Sequence, residues 1–218
     1  RSTVKRIASV LNRNRESFVI DLHSANQYNN RDGFINSALL YMEHFPFVSR
    51  LWFGEYFDYN LDPDYWMTEV SGIPFGLTGE MLEKGGRPYH GLVYGMTTRV
   101  YHNYNPGNIW KIFKDFNIQK SRMIGYWVDN SPIKIHNEEI RCTIYQKEKE
   151  VLITIASWSG EDELVELDIN WDKIGFNKSE VRLVSPEVSA LQEFKIYKTD
   201  DKIKIKGNKG LVLKLTSN

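Results

Sequence analysis

YMEHFPFVSRLWFGEYFDYNLDPDYW, residues 41–66, decides the fold class, because a strand pattern is followed closely by the start of a helix. The apolar and aromatic run RLWFGEYF at 50–57 predicts a strand. Asp62 and Pro63 then predict a helix start, since Asp is a favoured N-cap and Pro is favoured at the first helical position. Ten residues of the stretch are aromatic. Five acids lie among them: Glu43, Glu55, Asp58, Asp62 and Asp64.

The mixture of aromatic rings and carboxylates in this stretch also bears on function. Flat aromatic faces suit a ligand that is apolar on its ring faces, and carboxylates suit a ligand with hydroxyl groups at its edges. A sugar has both properties. A buried aromatic cluster followed by a polar loop would contain the same residues, so the stretch alone leaves both interpretations open.

Strand and helix patterns alternate through residues 1–120. Helices are predicted at 3–14, 33–45, 62–70 and 105–117, and strands at 18–21, 50–57 and 90–98. Such alternation implies parallel strands joined by helical crossovers. Three units cannot close a barrel alone, so we predict the last units of a (β/α)8 TIM-type barrel, with a fragment of a smaller α/β sheet as the alternative. The barrel is favoured because polar residues follow each strand, and in a barrel those positions share the carboxyl-terminal face that holds active sites.

The pattern of polar and apolar residues is different at residues 121–218. Short segments of alternating polar and apolar residues are separated by charged or glycine-containing turns, which is typical of antiparallel strands. We predict an antiparallel β-sandwich domain here, following the α/β region of residues 1–120. KTDDKIKIKGNKGLVLKL, residues 198–215, predicts a closing hairpin, with the alternating lysines on the solvated face of an edge strand.

Composition excludes several classes of protein. The chain has 218 residues, of which 41% are hydrophobic and 26% charged, an ordinary globular composition. Lysine plus arginine equals aspartate plus glutamate at 28 each, which argues against a nucleic-acid partner. No apolar run reaches the roughly 20 residues that a membrane-spanning helix needs, so membrane insertion is not expected. The single Cys142 excludes an intrachain disulfide, and we expect neither a metal site nor a cofactor.

Two acids at the ends of predicted strands are the candidate catalytic residues. Cleavage of a glycosidic bond usually needs two carboxyl groups with different roles. Asp21 ends the first predicted strand and Glu55 lies at the end of the second, and each could equally be a hydrogen-bonded carboxylate at the rim of the sheet. His23, two residues beyond Asp21, is a candidate for hydrogen bonding to a sugar hydroxyl, with a metal ligand as the weaker alternative. Arg99 is the cation best placed at the end of the third predicted strand.

Further substrate-binding candidates lie in the segments that follow the strands. Residues past a strand end are loop positions, where binding residues concentrate. Three aromatic residues there could stack on a sugar: Tyr56, Tyr59 and Trp66. Asn26 and Asp58 complete the predicted polar lining of the site. Trp52, by contrast, lies on the opposite face of the predicted strand from Glu55, so it is predicted to pack in the core.

The residues quoted so far carry a resemblance to glycoside hydrolase family 123-like proteins. The similar stretches are FVIDLHSANQ, YMEHFPFVSRLWFGEYFDYN, EVSGIPFGLTGEML, GLVYGMTTR and YQKEKEVLITIASWSGEDELVELDINWDKIGF. The resemblance implies a hydrolase acting on a glycan, often at an N-acetylhexosamine linkage with help from the substrate's acetamido group. It also implies a barrel, a small C-terminal β-domain and a secreted or periplasmic location.

The chain departs from the family in one respect. The family's catalytic acids are an adjacent Asp-Glu pair at the end of an earlier barrel strand, whereas the only such pair here begins at Asp162, in a predicted turn of the β-domain. We therefore expect the pair to lie upstream of Arg1, in a missing N-terminal part of the same protein that would be a partner of this region. The alternative is a diverged relative with different chemistry.

Three hypotheses of function follow from the sequence. The leading one is the C-terminal portion of a glycoside hydrolase that acts on a carbohydrate substrate through carboxylate-assisted hydrolysis. The second is a non-catalytic glycan-binding scaffold that has kept the barrel surface. The third is a self-contained α/β plus β interaction module without a role in sugar binding.

Overall fold

The computed structural model describes residues 2–23, 38–53, 60–81, 87–96 and 105–217, which belong to two compact units. The first unit comprises Arg1–Gly86 and Met96–His102, and the second comprises Arg87–Gly95 and Asn103–Asn218. Within the described ranges, none of the helices has both the length and the apolar character needed to cross a membrane.

A three-stranded parallel sheet forms the centre of the first unit. Its strands are β1 (Asp21–His23), β2 (Arg50–Phe53) and β3 (Thr78–Met81), in the spatial order β1-β2-β3. The helical elements are α1 (Ser2–Asn14), a 3₁₀ helix (Ala38–Phe47), α2 (Pro63–Tyr65) with a π-helical turn (Trp66–Val70) after it, and a 3₁₀ turn (Ile73–Phe75). The α/β character predicted for this region is confirmed.

Local signals in the first unit gave correct predictions. The helix predicted at 3–14 is α1. Asp62 caps α2 as expected, since its Oδ1 accepts a hydrogen bond from the Tyr65 backbone N–H at 2.8 Å, and Pro63 follows at the start of the helix. The favoured cap residue and the proline together fix where this helix begins.

Two predicted strands of the first region are placed differently by the structure. The first strand begins at Asp21 rather than ending there, so Asp21 lies at its amino-terminal end. The prediction of a third strand at 90–98 is wrong for its first residues, because Pro88–Val93 forms a helix, α3, in the second unit. A continuous apolar run fits a buried strand and a buried helix equally well, and the α3 residues Tyr89–Val93 are all buried.

The third strand of the parallel sheet, β3, lies in a glycine-rich segment for which the sequence pattern predicted neither a helix nor a strand. Gly79 in β3 passes so close to the preceding turn that a Cβ atom there would lie 2.4 Å from the Val70 carbonyl oxygen. The Gly79 N–H donates to the Ser71 carbonyl oxygen at 3.0 Å. A glycine inside a strand often marks this kind of backbone approach.

The second unit is built on a six-stranded sheet with the order β11-β10-β13-β7-β6-β4, and all its neighbouring strands are antiparallel. The strands are β4 (Arg122–Ile124), β6 (Ile140–Gln146), β7 (Glu150–Ser157), β10 (Val181–Ser185), β11 (Lys195–Tyr197) and β13 (Gly210–Ser217). Two smaller antiparallel sheets pair β5 (Ile133–Lys134) with β9 (Asp168–Ile169) and β8 (Glu163–Val165) with β12 (Ile203–Ile205). The antiparallel pattern predicted here is confirmed.

Both faces of the central sheet strands are covered. On one face, Ile153 and Leu213 belong to an apolar core that includes Ile133 and Ile203 of the two small sheets. On the other face lies α3, whose Leu92 carbonyl oxygen accepts a hydrogen bond from the Tyr145 hydroxyl at 2.7 Å. Burial on both faces explains why β7 is apolar without alternation.

Four further helical elements are described in the second unit. Helix α4 (Pro106–Phe116) has the predicted cap, with Asn105 Oδ1 accepting from the Gly107 N–H at 2.9 Å. A 3₁₀ turn (Ile118–Lys120) follows α4, a short helix α5 (Trp171–Ile174) follows β9, and a 3₁₀ turn (Lys178–Glu180) precedes β10.

The closing hairpin predicted at residues 198–215 is wrong. β12 pairs with β8, and β13 pairs with β7 and β10. The alternation itself is confirmed, because Ile203 and Ile205 are buried while Lys204 is exposed and pairs with Asp162 at 2.7 Å. The two isoleucines therefore face the core, and Lys204 faces solvent.

Candidate functional site

A charged network crosses the parallel sheet of the first unit. Arg50 forms a two-pronged contact with Asp21: its Nε and Nη2 atoms donate to Oδ1 and Oδ2, each at 2.7 Å. Its Nη1 atom donates to Glu80 Oε1 at 3.2 Å. One arginine therefore holds two carboxylates, each from a neighbouring strand.

The register of the sheet brings these side chains together. Asp21 pairs with Arg50 across β1 and β2, and Glu80 pairs with Trp52, two residues further along β2. Side chains two residues apart on a strand share a face, which brings Glu80 within reach of the guanidinium. The planar fork of donors on arginine matches a carboxylate, so the geometry of Asp21 is fixed by both oxygens.

Burial and charge strengthen the network. Side-chain exposure is 35% for Arg50, 24% for Asp21 and 12% for Glu80. The pKa of Arg50 is raised above its ordinary value, first by the hydrogen bond with Asp21, with additional contributions from the charges of both acids and against the effect of burial. The guanidinium is therefore a permanent cation within this face of the sheet.

The two oxygens of Asp21 are both engaged by Arg50, which bears on its predicted catalytic role. A carboxylate held in this way is well placed to position neighbours. It also lies at the amino-terminal end of β1, whereas barrel active sites occupy the carboxyl-terminal face. The geometry favours a positioning role for Asp21, and its catalytic role stays a prediction.

Trp66 was predicted as a sugar-stacking residue in a loop, and the structure places it elsewhere. It begins the π-helical turn that follows α2, and its side chain has no exposed surface. The neighbouring Pro63 and Val70 are buried with it. A ring without exposed surface offers no face to a ligand, so Trp66 stabilises the packing of the first unit instead.

Other predicted site residues lie outside the described part of the chain. They are Asn26, Glu55, Tyr56, Asp58, Tyr59 and Arg99. His23 is the last residue of β1, and its side chain likewise lies outside the described part. The assignments of these seven residues stay predictions.

Sequence reasoning missed the role of Glu80. Its segment, LTGEM, lies in a glycine-rich stretch, and no local pattern connects it to an arginine 30 residues earlier. The available signal was the alternation of Leu77, Gly79 and Met81 with polar residues, which fits a short strand with Glu80 on its polar face.

The histidine of α3 has a structural role. His90 is fully buried and lies edge-to-face against Trp158, with ring centroids 4.3 Å apart. Burial first, and then the charge of Arg87, lower its pKa to about 3, so the imidazole is neutral. Among the described residues, no group of three or more His, Cys, Asp or Glu side chains is arranged to hold a metal ion.

Comparison with known proteins assigns both halves of the chain. The model of the glycoside hydrolase 123 TIM-barrel domain matches residues 1–101, and the model of the glycoside hydrolase 123 C-terminal domain matches residues 105–216. No curated protein matches the sequence.

One of the solved structures that match this chain is that of a GH30 endoxylanase from Clostridium papyrosolvens C71. The two share 11% sequence identity with a TM-score of 0.40, and the match covers 99% of this chain. It covers 61% of the endoxylanase, so this chain spans less than two thirds of the length of that protein.

Proposed function

Because the chain belongs to glycoside hydrolase family 123, as the two matching domain models show, we propose that it forms part of an enzyme that hydrolyses glycosidic bonds in a polysaccharide or glycan. The first unit would supply the last units of a (β/α)8 barrel, and the second would be an antiparallel β-sandwich domain. The proposed substrate class is a glycan that contains N-acetylhexosamine.

The observation that carries this proposal is the match of both glycoside hydrolase 123 domain models, to residues 1–101 and 105–216. The interior of a barrel is normally filled by layers of branched apolar side chains. Here one face of three adjacent strands carries Asp21, Arg50 and Glu80, and Arg50 contacts the two acids at 2.7 and 3.2 Å. Because Asp21 and Arg50 are the first residues of β1 and β2, the network lies toward the amino-terminal end of the sheet, where it would hold the strands in place beneath a site at their carboxyl ends.

We propose a division of roles among the acids. Glu55 follows the end of β2 by two positions, and we assign to it a catalytic or key binding role. Arg50 would fix the strands below it by holding Asp21 and Glu80. The substrate would contact His23, Asn26, Tyr56, Asp58, Tyr59 and Arg99.

The adjacent Asp-Glu pair expected for the family would come from residues that precede this region in the full protein.

A glycan-binding scaffold is the second candidate function. It is favoured by the engagement of both Asp21 oxygens, which leaves that carboxylate poorly suited to attack or proton transfer. A secreted or periplasmic location follows from the proposed role in glycan degradation, and fractionation of the source cells would test it.

Kinetics of the full-length protein test the proposed function. We expect release of sugar from N-acetylhexosamine-containing glycans, and we expect Glu55→Gln to lower kcat/KM at least about 100-fold, as the loss of a key polar group in an active site does. Glu138→Gln, a change of the same chemistry at an exposed residue of the second unit, is the matched control and should leave kinetics unchanged.

The outcomes separate the two candidate functions. Turnover that depends on Glu55 supports the hydrolase. Binding of the glycan without turnover by the full-length protein supports the scaffold. Unchanged kinetics for Glu55→Gln would remove Glu55 from the site.

A further inference from the structure

The second unit contains a cavity of about 310 Å³ that neither its fold nor the proposed hydrolysis explains. It lies beside β5 and the start of β6. Its accessible apolar lining comes from Val128, which is 37% exposed, and from Ile135, which is partly buried, since Ile133, Ile140 and Cys142 are almost completely buried. Tyr126, in the turn that follows β4, also lines it.

Tyr126 is held in place on several sides. Its hydroxyl lies 3.3 Å from the Tyr94 hydroxyl, and its backbone N–H donates to Thr143 Oγ1 at 3.3 Å. Its ring meets the Trp127 ring edge-to-face, with centroids 5.1 Å apart. Trp127 is in turn stacked on Tyr94. The aromatic residue of the cavity is therefore fixed before any ligand arrives, which lowers the entropy cost of binding.

Polar and charged residues also line the cavity, among them Asp129, Lys134, Asn137 and Arg141. The Arg141 guanidinium lies 5.3 Å from the centre of the Tyr126 ring, and its Nη1 donates to the Asn137 carbonyl oxygen at 3.3 Å. Lys134 Nζ donates to the Asp129 carbonyl oxygen at 2.5 Å. The two cations are thus held at the rim by backbone contacts.

The amide of Asn137 is oriented as well. Its Oδ1 accepts a hydrogen bond from the Glu139 backbone N–H at 2.8 Å, so its amide nitrogen is the group that can donate to a ligand. The Asp129 side chain is exposed and supplies an acceptor on the same rim. The rim therefore presents donors and an acceptor around an apolar floor.

This combination of surfaces selects one chemical class. A lipid chain would offer no hydrogen-bond groups to the polar side chains of the rim, and a phosphate ligand would meet the carboxylate of Asp129. A saccharide unit has apolar C–H faces for the floor and the Tyr126 ring, and hydroxyl groups that donate and accept for the rim. We propose that this cavity binds a saccharide unit of a glycan, in a binding role that involves no bond cleavage.

The choice of saccharide probes rests on the proposed function, but the binding itself is measured without turnover. Isothermal titration calorimetry of the 218-residue chain would use three probes: oligosaccharides of N-acetylhexosamine, of neutral hexose and of hexuronic acid. We expect at least one probe to bind weakly, because a single open cavity offers few contacts. Asp129→Asn and Arg141→Gln should each weaken that binding about tenfold, as expected for loss of one charged hydrogen bond.

Matched controls separate the cavity from the rest of the surface. Asp200→Asn and Arg182→Gln make the same changes at exposed residues of the second unit and should bind as the unchanged chain does. Thermal unfolding of each variant checks that the fold is kept.

Three results would overturn the proposal. They are no binding of any of the three probes, equal binding by the cavity variants and the unchanged chain, or equal weakening by the controls. If the full-length protein shows no hydrolysis while the cavity still binds a saccharide probe, only the proposed function is refuted.

Discussion

The two largest sheets among the described residues are stabilised in different ways. The parallel sheet of the first unit has strands of three or four residues and carries an arginine held between two acids on one face. The central strands of the antiparallel sheet, β6, β7 and β13, have seven or eight residues and are buried on both faces. The difference indicates that stability resides mainly in apolar burial in the second unit, whereas the first unit uses charge at positions where a purely structural sheet would be apolar.

Truncation of a side chain in the apolar core should produce the largest effect on the free energy of unfolding. Ile153 lies at the middle of β7 with no exposed surface, in register with Ile144 and Leu213. We expect Ile153→Ala to destabilise the second unit by about 2–5 kcal/mol, since removal of buried methyl groups also leaves a cavity. Chemical denaturation followed by tryptophan fluorescence would measure it.

The control for this prediction is an exposed residue of the same chemistry. Leu164 in β8 is 65% exposed, and Leu164→Ala should change the free energy of unfolding by less than about 0.5 kcal/mol. Similar losses for the two variants would mean that the central strands are not the main source of stability.

Acid should weaken the second unit through His90, the buried histidine of α3. Its pKa is about 3 in the folded chain because of burial and the charges of Arg87 and Lys209, with the Ser157 backbone acting in the opposite direction. Its ordinary value is 6.5, so the unfolded chain takes up a proton that the folded chain refuses. Stability is therefore complete above pH 6.5 and is lost as pH falls toward 3, by about 2 kcal/mol between pH 7 and 5.

Replacement of the histidine isolates this effect. His90→Phe keeps an aromatic ring against Trp158 and should remove most of the change between pH 7 and 5, a window in which ordinary carboxylates stay largely ionised. His136→Phe, at an exposed position, should retain it. An unchanged pH profile for His90→Phe would show that other groups control the acid sensitivity.

Removal of the arginine should test the charged sheet. Arg50→Met leaves Asp21 and Glu80 without their shared cation, and we expect a loss of about 1–2 kcal/mol, below the value for a fully buried pair because all three side chains retain some exposure. Hydrogen exchange of backbone amides in β1–β3 would report the change locally. Arg182→Met, at an exposed position in the second unit, is the control.

The direction of the result bears on the comparison of the two sheets. Protection of the β7 amides should stay unchanged, because the network lies entirely within the first unit. If Arg50→Met instead stabilises the parallel sheet, the charges there oppose folding, and a purely functional reason for them becomes stronger.

The sequence predicted those parts of the fold that depend on neighbouring residues. The caps at Asp62 and Asn105 act over three residues or fewer, and both were predicted correctly. The antiparallel strands were recognised because their short length and the charged or glycine-containing turns between them are local signals. The apolar run that forms α3 was misassigned, because only its packing against β7 shows that it is a helix.

The candidate site could be predicted only in part, for the same physical reason. Asp21 was identified as an acid near a strand end, but its partner Arg50 lies 29 residues away and no spacing rule connects them. Glu80 joins through the register of a strand that the glycine-rich sequence concealed. The burial of Trp66 likewise depends on tertiary packing.

The smallest expected effect concerns charge in the second unit. Glu150, at the start of β7, accepts from Lys147 and Lys214, each at 2.7 Å, and these contacts, with that of Lys147 first, lower its pKa. We expect Glu150→Gln to cost about 0.5–1 kcal/mol at neutral pH, because the three side chains are partly exposed. A carboxylate with a lowered pKa contributes fully above the pKa of the unfolded chain and loses its contribution as pH falls through the lower, folded value.

Added salt and a more exposed ion pair provide two further checks of the Glu150 prediction. The cost of Glu150→Gln should shrink in about 1 M salt, where exposed charges are screened. Glu166 lies 3.6 Å from Lys202 with both side chains about two thirds exposed, and Glu166→Gln should have no measurable effect. If Glu150→Gln were instead to cost as much as Ile153→Ala, charge would be as important to the antiparallel sheet as apolar burial. The contrast with the parallel sheet would then reduce to where the charges lie: at the partly exposed end of a strand in one unit, and across the face of the sheet in the other.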